Sequence, residues 1–150
     1  MGVGQEIHYM NDKYFADTNI LVYAFDNRDP VKQKISQNLL ETIGSTGNLT
    51  LSTQVLQEFF VTITRKLKPP FSIATAHELV ENFIYYPLVQ VTPTHILSAI
   101  QRHEREKVSF WDALIIEAAL HSHCTILLSE DMQSNQLIEN RLLIHNPFNL

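Results

Sequence analysis

Along this chain, short apolar runs alternate with longer segments whose apolar residues recur at helical spacing. Tyr14-Phe15-Ala16 is the first short run, and Leu49 to Ser52, Leu88 to Val91, Thr125 to Leu128 and Leu142 to His145 are the others. Runs of three or four mostly apolar residues predict strands buried on both faces. Between them the period lengthens and helix punctuation appears. Asn19 to Phe25 reads as a short helix. Asp29-Pro30 opens a second, reaching about Ile43, with proline in the first turn, where its missing N–H is no loss. Gly44 to Asn48 is a loop. Thr53 is the expected N-cap of a helix running to about Leu67, which Pro69-Pro70 stops. Ser72 caps a helix to about Tyr85, Pro93 starts one ending near Glu106, and Ser109 caps the run Trp111 to His121.

Short apolar strands alternating with helices predict an α/β fold: three layers, α/β/α, around a central, mostly parallel sheet. No repeat, linker or low-complexity stretch interrupts the pattern. The 150 residues therefore read as a single domain, with 1–12 expected to be a poorly ordered extension. No apolar run approaches the roughly 20 residues that cross a bilayer. The opening MGVGQEIHYMNDK lacks the apolar core of an export signal, and Glu6 stands where an N-myristoylation signal needs Ser or Thr. One cysteine, Cys124, excludes an internal disulfide and fits a reducing, cytoplasmic setting.

The net charge of −5 weighs against broad phosphate binding, which needs Lys and Arg. A metal site built of carboxylates would itself lower the total. Arg65-Lys66-Leu67-Lys68 and Arg102-His103-Glu104-Arg105-Glu106-Lys107 are local basic clusters, read first as solvated helix ends, where positive charge suits the dipole, with an RNA-facing role as the alternative.

Four acids stand among apolar neighbours. Asp17 follows the first strand. Asp131 lies three residues past Leu128. Glu58 sits inside VLQEFFV, and Asp112 lies in the first turn of the helix in SFWDALIIEAAL. In a parallel sheet, ligands bind outside the carboxyl ends of the strands, and Asp17 and Asp131 belong to that edge. Each acid has an ordinary explanation. Asp17 caps the next helix, Asp112 favours its helix dipole, Asp131 makes an Asx turn, and Glu58 faces solvent. Together they point elsewhere, because neighbouring carboxylates repel unless a cation sits among them. Hard oxygen ligands without Cys or His select Mg²⁺ or Mn²⁺, ions that activate water and neutralise a phosphoryl group. Among aromatic residues, Phe110 and Trp111 read as packing. Glu117 lies five residues beyond Asp112 on the same helix and is expected to face elsewhere. His121, His123 and Cys124 lack a second ligand pair for zinc.

With these motifs the chain resembles the PIN-domain ribonucleases, and within them the VapC-type toxins. Asp17-Thr18-Asn19-Ile20-Leu21-Val22-Tyr23-Ala24 is similar to the family's opening strand and acidic motif, and Leu56-Gln57-Glu58-Phe59 to its glutamate helix. Ser109-Phe110-Trp111-Asp112-Ala113-Leu114-Ile115 and Leu128-Ser129-Glu130-Asp131-Met132-Gln133 resemble the third and fourth motifs, and Ile144-His145-Asn146-Pro147-Phe148 the closing Asn-Pro-Phe. The resemblance implies that Asp17, Glu58, Asp112 and Asp131 ring one or two Mg²⁺ or Mn²⁺ ions and that water activated there hydrolyses RNA. Thr18, Asn19, Ser109 and Ser129 would support these acids or orient substrate. It also implies a toxin that is usually a homodimer and is held inactive by a small antitoxin protein covering the acidic groove. One departure is visible: many relatives have Gly soon after the fourth acid, where this chain reads Met132-Gln133-Ser134-Asn135. Asn tolerates a left-handed backbone best among the other residues. Glu130 either substitutes for its neighbour or plays no part.

Two other functions stay open on the residues. An aspartate that carries a phosphoryl group would also follow a first strand, although the position two residues on is Asn19, where phosphatases of that type want a second Asp. A PIN-like scaffold that only binds a protein partner is the other, and retention of all four acids speaks against it.

Overall fold

In the computed structural model, which describes residues 12–149, Tyr14–Ala16 (β1) is buried at every residue. So are Leu49–Ser52 (β2) and Ile126–Leu128 (β4). A strand can hide consecutive side chains only when both faces of its sheet are covered. Leu142–His145 (β6), nearer one edge, alternates between buried and half-buried. With Leu88–Val89 (β3) and Leu137–Ile138 (β5), these form one six-stranded sheet in the order β3-β2-β1-β4-β6-β5. Every pairing is parallel except β5 with β6. Phe15 lies opposite Thr50 on one side and Leu127 on the other, which places β1 at the centre. The three-layer α/β expectation holds. The expected extension lies, apart from Asp12, outside the described residues.

The helices are Thr18–Tyr23 (α1), Pro30–Gly44 (α2), Thr53–Arg65 (α3), Ile73–Ile84 (α4), Pro93–Glu106 (α5) and Phe110–His121 (α6). Capping sets their starts. Asp29, Ser72, Thr92 and Ser109 each accept an N–H from the first turn, a contribution of about 1 kcal/mol apiece. Thr53 is not the cap of α3. Ser52 still has extended backbone and its hydroxyl accepts the Val55 N–H, while the Thr53 hydroxyl accepts the N–H of Val91. Two strands are shorter than expected, because Val91 and Thr125 fall outside the ladder, and the antiparallel β5 was not foreseen.

The core runs through Phe15, Ile20, Leu21, Leu51, Phe59 and Leu127, all fully buried, each contributing about 1.5–3 kcal/mol. Phe25, Phe59 and Phe83 meet edge to face and pin the turn after α1 to α3 and α4. Among the described residues, no helix is long and apolar enough to cross a membrane.

Candidate active site

β1 ends in a short turn that aims Asp17 at the carboxyl edge of the sheet. The Asp17 N–H donates to the Leu128 carbonyl at 2.9 Å, so the ends of β1 and β4 are locked together. Asp17 is the N-cap of α1 and takes the Thr18 N–H on Oδ1 at 2.7 Å. Its other oxygen accepts the buried Ser129 hydroxyl at 2.8 Å. Capping and a role in a site are thus not alternatives here, because one oxygen serves each neighbour. Burial pushes its pKa up to about 6, helped by the charges of Asp112 and Asp131 and opposed by the Ser129 and Thr18 hydrogen bonds.

The other three acids arrive from separate elements. Glu58 projects from α3, where the Thr18 hydroxyl donates to Oε1 at 2.7 Å and the Gln54 amide to Oε2 at 3.3 Å. Asp112 is the third residue of α6, with its N–H capped by Ser109 at 3.0 Å. Burial raises its pKa; the Ser109 hydroxyl opposes this, and the charges of Asp131 and Glu58 add to it. Asp131 lies in the loop after β4, with Oδ2 accepting from the Asn19 amide at 3.0 Å. Ser129 also accepts the N–H groups of Asp131 and Met132, at 3.2 and 3.4 Å, which shapes that loop. The turn survives without glycine: Asn135 adopts a positive φ of 68°.

Glu130 points away. Tyr23 OH donates to it at 2.7 Å, and Lys32 pairs with its other oxygen. The Lys32 ammonium also lies over the Tyr23 and Phe148 rings, at 4.9 and 5.5 Å from their centres. The closing Asn-Pro-Phe segment thereby anchors to α1 and α2. Glu117 likewise faces elsewhere, toward Arg102. Arg102 corrects the reading of its cluster as a solvated helix end. Its side chain is buried, bonded to Glu117 at 2.5 Å, to Glu106 at 2.7 Å and to Glu139. Trp111 corrects the packing expectation, because it is 60% exposed. Gln54 escaped the sequence reading. It stands one helical turn before Glu58, and its amide also holds the Trp111 carbonyl at 3.1 Å.

Glu58 and Asp131 open on a groove of about 630 Å³ that Thr18, Asn19, Gln54 and Trp111 also line, with Asp17 and Asp112 beside them. No Lys or Arg pairs with Asp17, Glu58, Asp112 or Asp131 among the described residues. Nor do three or more His, Cys, Asp or Glu side chains there converge closely enough to clasp one ion. The all-oxygen donor set suits a hard divalent cation, and its openness suits Mg²⁺, which keeps several waters and takes one or two carboxylates. A closed cage of the zinc or calcium kind does not fit.

Residues 14–137 match the family model of the PIN domain. No curated protein matches the chain. Several solved structures share its fold. A toxin-antitoxin complex from Klebsiella pneumoniae superposes with a TM-score of 0.68 at 14% identity, covering 92% of this chain and 100% of that one. VapC20 of Mycobacterium tuberculosis, described as a toxin that cleaves the sarcin-ricin loop, gives 0.60 at 16% identity, covering 77% and 87%. VapBC2 of Rickettsia felis, bound to a DNA fragment from its promoter, gives 0.58 at 18% identity, covering 89% and 97%. The match of the family model over most of the chain, with the acidic groove at the sheet edge, establishes that this protein belongs to the PIN-domain family.

Proposed function

We propose that this protein is a Mg²⁺- or Mn²⁺-dependent endoribonuclease, the toxin of a toxin–antitoxin pair, with Asp17, Glu58, Asp112 and Asp131 as its acidic centre. One observation carries the reading. Four carboxylates come from four different elements, Glu58 and Asp131 line one groove, burial and neighbouring acidic charges raise the pKa of Asp17 and of Asp112, and no Lys or Arg pairs with any of the four among the described residues. An acidic cluster with no counter-ion of its own is a seat for an external cation.

The chain's own residues prepare that seat. Ser129 and the Thr18 N–H fix both oxygens of Asp17, Thr18 and Gln54 fix Glu58, and Asn19 fixes Asp131. These donors are neutral, so they orient the carboxylates without cancelling their charge. A divalent ion bound there supplies Lewis acidity toward an RNA phosphate and a more acidic water. Asp17 is a poor covalent nucleophile, because it is 5% exposed and both its oxygens are engaged. That weighs against phosphoryl transfer through this aspartate. The antitoxin expectation draws support from the structural neighbours crystallised as toxin–antitoxin complexes.

The test is cleavage of a broad RNA pool by purified protein in Mn²⁺ or Mg²⁺. Chelator abolishes cutting and added Mn²⁺ restores it. Asp112→Asn keeps the fold and cuts on the order of 100-fold more slowly, or less. Cleavage that survives both treatments refutes the reading, and a folded wild type that cuts nothing turns it toward the protein-binding scaffold.

A further inference from the structure

We propose that Trp111 is a stacking platform for an unpaired RNA base beside the bond that is cut, and that Lys66, further along the groove, takes a phosphate of the same strand. The inference rests on the ribonuclease reading and names the form of RNA that the groove accepts.

Trp111 directly precedes Asp112 and lines the same groove as Glu58 and Asp131. Its indole is 60% exposed, an unusual place for so large an apolar ring in a chain with a well-filled core. The ring is nevertheless held. Phe110 meets it edge to face at 5.1 Å, and the buried Gln54 amide holds its carbonyl while also touching Glu58. One side chain therefore sets the distance from the platform to the acidic centre. Gln54, Glu58, Thr62 and Lys66 recur every four residues along α3 and its C-cap, and all four line the groove. Glu58 to Lys66 is eight residues, about 12 Å along the helix. No carboxylate pairs with Lys66 among the described residues, whereas nearby Arg28 is clamped by both oxygens of Asp26, at 2.9 and 3.0 Å. The groove thus presents an aromatic face at the acidic centre and an uncompensated cation further along α3. A phosphate strand with an exposed base is complementary to that arrangement. A duplex is not, because its bases are already stacked.

Trp111 is the sole tryptophan of the chain, so intrinsic fluorescence reports on this residue alone. The Asp112→Asn protein, with Mg²⁺, is titrated with short oligoadenylate and with a blunt RNA duplex of equal length. The expected result is saturable quenching by the single strand and none by the duplex. Trp111→Ala, read by anisotropy of labelled oligoadenylate, binds roughly 5- to 150-fold more weakly, and Trp111→Phe recovers part of the loss. Lys66→Ala lowers the slope of log affinity against log salt by about one phosphate contact. Unchanged tryptophan emission at saturating RNA overturns the proposal, as does Trp111→Ala that binds and cuts like wild type. If wild type cuts RNA and Trp111→Ala cuts equally well, stacking fails and the nuclease reading stands. If nothing is cut but quenching and its Trp111 dependence hold, the platform stands and the nuclease reading fails.

Discussion

Asp112 and Glu117 lie five residues apart on α6, each beside other carboxylates, and the chain treats the two groups in opposite ways. Around Glu117 a cation is built in. Arg102 reaches across from α5 and bonds Glu117, Glu106 and Glu139. Burial works against the guanidinium charge, yet the three carboxylates hold its pKa above the ordinary value. Around Asp112 the neighbouring carboxylates of Asp17, Glu58 and Asp131 receive only neutral donors among the described residues, from Thr18, Asn19, Gln54 and Ser129. A filled cluster is a strut between helices. Under the proposed function, a cluster left short of positive charge stores repulsion that a bound ion would release, and that difference would separate a structural group of acids from a chemical one.

The sharpest way to break the contrast is to remove the built-in cation. Arg102→Ala leaves buried Glu117 without its partner and costs about 3–5 kcal/mol in urea unfolding. Cleavage per folded molecule is unchanged, because Arg102 does not line the groove. A loss of activity at full folding would join the two clusters into one system.

The next effect is at Asp17. Its folded pKa, about 6, lies above the ordinary 3.8. The native state therefore keeps a proton that the unfolded chain has given up. This stabilisation is complete below about pH 4 and is lost as pH rises through 6, about 3 kcal/mol in the metal-free protein. Asp17→Asn flattens that part of the stability–pH curve. Mn²⁺ raises the melting temperature more at pH 8 than at pH 5, because the ion competes with the proton. An ion-induced shift independent of pH would detach the metal from this carboxylate.

The smallest effect separates Asp131 from its neighbour. Glu130→Gln loses the Lys32 pair, which is partly solvent-screened, and costs about 1 kcal/mol or less. Cleavage stays within about fivefold of wild type, the rate equivalent of that energy. A collapse of activity would place Glu130 at the ion.

Capping residues and fully apolar strands made the sheet and most helix boundaries readable from sequence, since both depend on near neighbours. Thr53 misled because two adjacent hydroxyls could each cap, and only the position of Val91 decides between them. The four acids could be picked out because each interrupts an apolar run. Arg102 and Trp111 could not. A basic residue near a helix end normally faces water, and what buries Arg102 is Glu117 on another helix and Glu139 in a distant turn. A tryptophan in an apolar stretch normally packs inward, whereas here it falls on the groove side of α6.

Phe15 pairs with Leu127, and the Ser129 hydroxyl reaches Asp17 across 112 residues of sequence. During synthesis the ribosome lays down Asp17 long before the strand and serine that hold it. At about 5–20 residues per second the gap lasts roughly 6–22 s. The central parallel pairing, which waits for distant segments, is also intrinsically slow to form. A nascent chain therefore emerges with its acids scattered, and they come together only when β4 and its following loop dock beside β1. Topology thus acts as a timer: any chemistry at the sheet edge begins only after β4 and the loop carrying Ser129 and Asp131 have been made.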